Sequence, residues 1–257
     1  MISSTQGNGG VGKLSVIVPV FNEARHLAPL VRWLISSPCP VEREFIFVDD
    51  GSQDESASIL TSLSEGYPLR VIRQEINLGK GAAIRRAIQE ASGTFIMIQD
   101  ADFEYDPNDV PSLLKPLLED RADVVYGSRF RHNVSQFHRT FHYLVNRILT
   151  LLSNLFSGIY ITDMETCYKL FRSDLLKSMN LTSRRFGIEV ELTAYVAKTA
   201  ARICELPISY YPRARWQGKK INWKDGFAAL FHLVYYNFSR SLEESFTGLP
   251  ERYHPRS

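Results

Sequence analysis

The chain has few cysteines and no excess of either charge. Cys39, Cys167 and Cys204 lie far apart and are odd in number. They therefore predict neither a disulfide framework nor a cysteine zinc site, and we expect a reducing compartment, the cytoplasm. Thirty basic and 28 acidic residues leave a net charge of +2, which does not indicate a nucleic-acid partner. A hydrophobic content of 44% is that of a globular domain with a core of its own.

A long uninterrupted hydrophobic run is also missing. A helix needs about 20 predominantly apolar residues to cross a membrane, and the most apolar stretch, residues 141–161, contains Asn146, Arg147 and Asn154. The N-terminus is polar and rich in glycine, unlike a secretory signal. We expect a chain that does not cross the membrane by itself.

The first residues contain GNGGVGK, which has the spacing of a phosphate-binding loop as far as its lysine, Lys13. Leu14 stands where such a loop needs Ser or Thr, and a strand follows the motif instead of preceding it. We interpret residues 1–13 as a flexible tail, and a phosphate-loop NTPase remains an alternative.

The central feature of the sequence is TFIMIQDADFEYDP, residues 94–107. Its apolar run predicts a buried strand that ends at Asp100 and Asp102. At the carboxyl edge of an open α/β sheet, two carboxylates one residue apart favour a divalent cation with a phosphorylated ligand. Taken alone, the pair also fits a polar turn that caps the next helix.

Other strand ends carry similar chemistry. LSVIVPV is followed by FNE, which includes Phe21 and Glu23, and EFIFVDD ends at Asp49 and Asp50. Glycines flank Lys80 just before an alanine-rich helix, a position that suits an anion. Helix capping explains one such acidic end, but several on one edge favour a ligand site.

Strands alternate with helices at short intervals throughout residues 14–127. This order predicts an α/β fold with a doubly wound, mostly parallel sheet, helices on both faces and right-handed crossovers. We expect one domain over residues 14–240, with a nucleotide-binding half, 14–127, and an acceptor half, 128–240. Residues 241–257 are expected to form a second tail.

The acceptor half contains two basic segments. Residues 127–160 hold four arginines, three histidines and no acidic residue, and their leucines recur at helical spacing. This pattern predicts an amphipathic helix that either packs on the sheet or lies in a membrane interface. The second segment, residues 213–224, holds five basic residues and no acidic one, so it is either a solvated loop or an anion-binding surface.

Eight motifs occur in an order that resembles the dolichol-phosphate mannose synthase branch of the inverting family 2 glycosyltransferases, over residues 14–230. They are SVIVPVFNE, FIFVDDGSQD, NLGKGAAI, QDADFEYDP, VVYGSRF, TDMETCYKLFR, FGIEVEL and GKKINWKDG. The resemblance implies a GT-A fold and transfer of a hexose from a nucleoside diphosphate to a polyprenyl phosphate.

The resemblance also implies roles for individual residues. Metal binding, with Mg²⁺ or Mn²⁺, falls to Asp102 and to Glu104, where the family often has Gln or Ser. Catalytic roles fall to Asp102, Arg129 and Asp163. The nucleotide-sugar contacts implied are Pro19, Phe21, Glu23, Asp50, Lys80 and Asp100. The acceptor-phosphate contacts implied are Arg129, Arg139, Lys219 and Lys220.

Mannose from GDP-mannose is the expected donor, with UDP-glucose or UDP-N-acetylglucosamine as alternatives. Transfer to a sugar hydroxyl would need a base, for which Asp163 and Glu165 are candidates. A scaffold subunit that binds nucleotide sugar without turnover is the alternative that is not an enzyme. We expect peripheral attachment to the cytoplasmic membrane face through residues 141–160 and the basic loop, with a small membrane subunit as a further partner.

Overall fold

The computed structural model describes residues 12–131, 140–185, 187–212 and 223–255. Within these residues, seven strands form one sheet. They are β1 (Lys13–Val20), β2 (Glu42–Asp50), β3 (Leu69–Gln74), β4 (Phe95–Ile98), β5 (Val124–Ser128), β6 (Lys169–Arg172) and β7 (Ile203–Pro207). Every residue of β4 and β5 is buried, as expected for strands covered on both faces.

Helices alternate with the first five strands, as the sequence predicts. The described helices are α1 (Ala24–Ser36), α2 (Ser56–Gly66), α3 (Lys80–Glu90), α4 (Val110–Leu118), α5 (Thr140–Ser157), α6 (Ser173–Ser178), α7 (Ile188–Ala197), α8 (Trp223–Phe238) and α9 (Leu242–Ser245). α1 buries Leu27, Leu30, Val31 and Leu34, which lie on one helical face. α4 is short, because a 3₁₀ turn, Pro107–Asp109, precedes it and Asp120, just beyond its end, has a φ of 51°.

The sheet has the order β3-β2-β1-β4-β6-β5-β7. The chain adds β2 and β3 on one side of β1 and then returns to place β4 on the other side. This reversal of direction opens a crevice at the carboxyl ends of β1 and β4, where ligands bind in open α/β sheets. Phe21 and Glu23 follow β1, and Asp100 and Asp102 follow β4, so the fold brings these sequence-predicted residues to one edge.

β6 departs from the parallel order. It pairs antiparallel with β4 on one side and with β5 on the other, whereas β7 pairs parallel with β5. The sheet is therefore mostly parallel, which confirms the predicted α/β class. β6 brings the segment that precedes it, with Asp163 and Glu165, against the end of β4.

The helices of the acceptor half are layered. α7 is buried on nearly all sides, including the polar Glu189, Glu191 and Thr193. It packs against α5 and α8, which also contact each other. α7 thus lies between the sheet and the two outer helices. None of the described helices is long and apolar enough to span a bilayer.

Residues 1–11 of the expected N-terminal tail lie outside the described residues, and the structure corrects the prediction for the described parts of both tails. Lys13 already belongs to β1, where its ammonium lies 3.1 Å from Glu44. At the other end, the expectation of a tail is wrong for residues 241–255, because Ser245, Phe246 and Tyr253 are buried. Tyr253 donates a hydrogen bond to Asp174 at 3.2 Å, which attaches the C-terminal segment to α6.

Candidate active site

The loops that follow β1 and β2 hold each other in place. The N–H of Asn22 donates to Ser52 Oγ at 3.0 Å, and the N–H of Glu23 donates to Ser56 Oγ at 2.9 Å. Asn22 has a φ of 53°, which turns the chain sharply after Phe21. The carboxylate of Glu23 lies 2.9 Å from His26 Nδ1, while Pro19 is a partly buried residue within β1.

Asp50 organises the turn before α3. Its Oδ1 accepts from the N–H of Leu78 and its Oδ2 from the N–H of Gly79, both at 2.8 Å, and Gln74 Nε2 lies 3.1 Å from Oδ1. Burial raises the pKa of Asp50, while the two backbone donors act in the opposite direction. Asp50 therefore fixes the position of Lys80, the next residue of the turn.

Lys80 lies between two carboxylates. Its Nζ is 2.7 Å from Asp100 Oδ1 and 2.8 Å from Glu189 Oε1. Burial alone would lower the pKa of Lys80, but the negative charges of Asp100 and Glu189 outweigh burial and raise this pKa well above its ordinary value. The ammonium group is charged, and two of its three N–H donors have carboxylate partners.

The loop after β4 takes a strained turn. Asp102 Oδ1 accepts from the N–H of Glu104 at 3.2 Å, and Phe103 between them has a φ of 59°. The ring of Phe103 stacks on Trp33 of α1 with centroids 5.3 Å apart. Glu104 is buried, and its Oε2 accepts from the hydroxyl of Tyr210 at 2.6 Å. Stacking and hydrogen bonding thus anchor both sides of Asp102.

Arg129, at the end of β5, forms a two-point ion pair with Asp163. Nε donates to Oδ2 and Nη2 donates to Oδ1, both at 2.7 Å, and the backbone N–H of Arg129 adds a third bond to Oδ2 at 3.0 Å. The guanidinium also lies over the ring of Tyr210 at 5.1 Å. Asp163 therefore orients Arg129 and offsets its charge.

Glu165, in the segment before β6, and Lys169, the first residue of β6, are a second pair of ionisable groups that interact. Burial raises the pKa of Glu165 to about 7, and the negative charge of Glu189 adds to the shift. Lys169 is buried and donates to the carbonyls of Met164 and Thr166. Burial lowers the pKa of Lys169, against the attraction of Glu189 and Glu165.

The carboxylates near Asp102 do not converge on one point. Within the described ranges, no group of three or more His, Cys, Asp or Glu side chains is arranged to hold a metal ion. Asp100 faces Lys80, and Glu104 faces Tyr210. Mg²⁺ in nucleotide sites commonly takes one or two carboxylates and completes its shell with phosphates and water. A site centred on Asp102 fits that pattern, whereas Glu104 is engaged elsewhere.

The structure brings most of the sequence-predicted site residues close to one another, but it does not describe all of them. Arg139, Lys219 and Lys220 lie outside the described residues. Two contacts of the site were not predicted from the sequence: Glu189 with Lys80, and Tyr210 with Glu104. Neither contact has a local sequence signal, since Glu189 is 109 residues from Lys80 and Tyr210 is 106 from Glu104.

The sequence model of the family named glycosyl transferase family 2 matches residues 15–179, well over half of the chain. The protein therefore belongs to this family, in agreement with its mostly parallel sheet and with the acidic residues at the ends of β2 and β4.

Two relatives point to a narrower group of enzymes within this family. A dodecaprenyl-phosphate galacturonate synthase from Rhizobium johnstonii is 29% identical over 78% of the chain and 60% of its own length. A dolichol-phosphate mannosyltransferase from Pyrococcus furiosus is 26% identical over 86% of the chain and 62% of its own length. The chain thus spans about three fifths of both relatives. These matches confirm the resemblance to polyprenyl-phosphate glycosyltransferases that the eight motifs indicate.

Solved structures agree on the fold. Glucosyl-3-phosphoglycerate synthase from Mycobacterium tuberculosis, in complex with Mn²⁺, UDP and glucosyl-3-phosphoglycerate, superposes with a TM-score of 0.66. The two chains are 19% identical, and the match covers 88% of this chain and 80% of the other. At this identity the likeness establishes the shared GT-A architecture alone.

Proposed function

We propose that this protein transfers a hexose, with inversion, from a nucleoside diphosphate to a polyprenyl phosphate. The observation that carries the proposal is that Arg129 lies over the ring of Tyr210, whose hydroxyl donates to Glu104, two residues after Asp102. A site for a diphosphate and a site for a second anion then adjoin each other, next to helices with exposed apolar faces.

The donor side is rich in negative charge. The two negative charges of Asp100 and Glu189 outnumber the single positive charge of Lys80, which contacts both carboxylates. Asp102 and Glu104 follow Asp100 closely along the chain. An anionic diphosphate is repelled by such a site unless a divalent cation accompanies it. We assign Asp102 as the carboxylate that holds Mg²⁺ or Mn²⁺, with Asp50 and Lys80 forming the wall for the nucleotide.

A bound divalent cation supplies Lewis-acid stabilisation of the leaving diphosphate, an effect worth several kcal/mol. The contribution of the protein is geometric. The stacked Phe103 and the hydrogen bond from Glu104 N–H hold Asp102 at the mouth of the crevice. Lys80 keeps Asp100 in place and has a third N–H donor for the donor substrate.

A phosphate acceptor needs no general base, because its second pKa is about 6 and its oxygen is largely ionised at pH 7. It needs a cation that offsets the repulsion between two anions. Nε and Nη2 of Arg129 are bound to Asp163, and Tyr210 also contacts the guanidinium. We assign Nη1 to the acceptor phosphate. Because Asp163 offsets the charge of Arg129, further cations are required, and we assign that role to Arg139, Lys219 and Lys220.

The outer helices present apolar residues to solvent. On α5, Leu151 and Leu155 are 58% and 69% exposed, and on α8 Phe231 and Phe238 are 66% and 65% exposed. The two helices touch through the rings of Phe156 and Phe238, with centroids 5.2 Å apart. Leu144, Ile148, Leu151 and Leu155 follow one another at helical spacing. We assign this paired surface, α5 with α8, to the cytoplasmic face of a membrane, where a polyprenyl phosphate resides.

Mannose from GDP-mannose is the donor that we propose, supported by the Pyrococcus furiosus relative. The galacturonate synthase supports a different donor, so the sugar has to be tested directly. A small membrane subunit that helps to hold the chain at the lipid surface is part of the same proposal.

One observation favours a second candidate. Glu165 has a pKa of about 7, which is the range for a general base at neutral pH. Transfer to a sugar hydroxyl would use such a base, and Glu165 is a better candidate for it than Asp163, whose carboxylate is engaged by Arg129.

A ligand screen tests the proposed function. Thermal shift with GDP- and UDP-sugars in the presence of Mg²⁺ or Mn²⁺ identifies the donor, because a ligand that binds the native state raises its stability. The identified donor is then supplied with polyprenyl phosphate or with free sugars as acceptors. Product from the lipid phosphate alone supports the proposal, product from a sugar hydroxyl supports the second candidate, and binding without turnover indicates a scaffold subunit.

A further inference from the structure

A segment that is distant along the chain, residues 181–185, packs against the turn that contains Lys80. The N–H of Ala82 donates to the carbonyl of Arg184 at 3.2 Å, and Arg85 Nη1 donates to the carbonyl of Leu181 at 2.9 Å. A Cβ added to Gly81 would lie 2.4 Å from the carbonyl oxygen of Ser183. Glycine is therefore required for this close approach, and the segment 181–185 forms one wall of the Lys80 turn.

Two acidic residues on α7 serve this wall in different ways. Glu191 is fully buried and accepts from the N–H of Thr182 at 2.7 Å and from the N–H of Ser183 at 2.8 Å. Glu189 instead points at Lys80, with Oε1 2.8 Å from Nζ. Glu191 thus binds the backbone of the segment 181–185, and Glu189 binds the ammonium group of Lys80.

The contact between Glu189 and Lys80 is shielded from water. Glu189 is buried, and its Oε2 has no hydrogen-bond partner among the described residues. A buried carboxylate depends on its cationic neighbours for its charged state, and Lys80 is the neighbour that Glu189 contacts directly. The same holds for the lysine, whose direction is fixed by Glu189 on one side and Asp100 on the other.

We propose that Glu189 is a positioning residue for the donor site: it fixes the ammonium of Lys80 against Asp100, so that the third N–H of Lys80 faces the nucleoside diphosphate. This inference rests on the proposed function for the identity of the ligand. The geometric part, which is the coupling between Glu189 and Lys80, can be tested without any turnover.

The experiment uses the full chain and five variants: Glu189→Gln, Lys80→Met, the double variant that combines them, Glu44→Gln, and Lys80→Met combined with Glu44→Gln. Glu44 is the matched control, because it also pairs with a lysine, Lys13, but lies near the start of β2 and away from the site. Thermal unfolding gives the coupling. We expect the double variant to lose less than the sum of the two single losses, by about 3 °C or more, since contacting charges are not additive. Lys80→Met combined with Glu44→Gln should give additive losses.

Affinity for GDP and UDP with Mn²⁺, measured by calorimetry, gives the second readout. Glu189→Gln should weaken nucleotide binding about tenfold, whereas Glu44→Gln, which changes a Glu–Lys pair away from the site, should keep the wild-type affinity. Additive losses for Lys80 and Glu189, or equal affinities in Glu189→Gln and the wild type, would overturn the proposal. If the wild type bound neither nucleotide, the proposed function would fail, and the thermal cycle would still decide whether Glu189 positions Lys80.

Discussion

Arg129 and Asp163 form a buried two-point ion pair, with both N–H···O distances at 2.7 Å. Asp163 is fully buried and belongs to the segment that β6 brings against β4 and β5. The pair therefore fastens the acceptor half to the end of β5 and at the same time aims Arg129. A change at either residue should affect stability and acceptor binding together.

Replacing Arg129 with Ala should lower the free energy of unfolding by about 3 kcal/mol, because the buried carboxylate of Asp163 loses its partner. It should also raise the KM for polyprenyl phosphate more than the KM for the nucleotide sugar. Urea unfolding and steady-state kinetics measure the two effects. In the double variant Arg129→Leu with Asp163→Leu, stability should return in part while acceptor binding stays weak. Full recovery of acceptor binding there would show that Arg129 does not contact the phosphate.

Replacing Asp102 with Asn should reduce metal-dependent transfer by about 100-fold or more, because the amide carries no charge for a divalent cation. Stability should change little, since Asn retains an oxygen that can accept from the N–H of Glu104. Activity is measured during titration with Mn²⁺. Asp106→Asn is the control: Asp106 caps the next turn through Asn108 and should keep metal-dependent activity. Equal activity in Asp102→Asn and the wild type would remove Asp102 from the metal site.

Phe103 combines a φ of 59° with a stacked contact to Trp33. Phe103→Ala should lose about 1 kcal/mol of stacking in addition to buried area, and it should loosen the loop that carries Asp102. Phe103→Gly loses the same ring but relieves the left-handed backbone, so it should be more stable than the Ala variant by up to about 1 kcal/mol. Chemical denaturation compares them, and an Ala variant as stable as the Gly variant would argue against backbone strain.

Glu165 makes stability depend on pH. Its folded pKa of about 7 lies above the ordinary value of 4.5, so the folded state holds a proton that the unfolded state has released between these values. Stability contributed by the protonated form is therefore full below pH 4.5 and falls as the pH rises through 7. We expect Glu165→Gln to gain on the order of 2 kcal/mol relative to the wild type at pH 8 and little at pH 5. Parallel unfolding curves for both proteins at all pH values would contradict the assignment.

The exposed faces of α5 and α8 should bind anionic membranes. Flotation with phosphatidylglycerol vesicles should recover the wild type in the lipid fraction, and Leu155→Glu should reduce the recovered fraction several-fold because it places a charge in the apolar surface. The control Leu118→Glu changes an exposed leucine on α4 and should float like the wild type. If Leu155→Glu floated like the wild type, or if both variants lost binding to the same extent, the paired surface of α5 and α8 would not be the membrane-binding surface.

The nucleotide-binding half could be predicted closely from the sequence. β1 comprises the apolar run LSVIVPV and one residue before it, because buried apolar runs bounded by turn residues define parallel strands. The antiparallel pairing of β6 could not be predicted, since it depends on which neighbours remain beside β4 and β5 after the other strands pair. The C-terminal segment was misjudged because the burial of Tyr253 depends on α6, 79 residues away from the tyrosine along the chain.

Some residues of the candidate site could likewise be predicted from the sequence, and others could not. The positions of Asp50, Asp100 and Asp102 at the carboxyl edge of the sheet could be predicted, because Asp50 ends a recognisable strand and the other two follow one; their roles remain predictions. The carboxylate that pairs with Lys80 could not, because Glu189 lies on a helix that carries two acidic residues of equal appearance. The structure distinguishes them: Glu189 reaches the lysine, while Glu191 binds the backbone of the neighbouring segment.

The central claim is transfer from a nucleotide sugar to a polyprenyl phosphate, and one measurement tests it most directly. The purified protein is incubated with labelled GDP-mannose, Mn²⁺ and a polyprenyl phosphate in vesicles, and the lipid is then extracted and counted. Our account predicts label in the lipid fraction as a sugar phosphate of inverted configuration, with Asp102→Asn at background. Absence of lipid label with GDP-mannose and with every UDP-sugar tested, while nucleotide binding is intact, would contradict it.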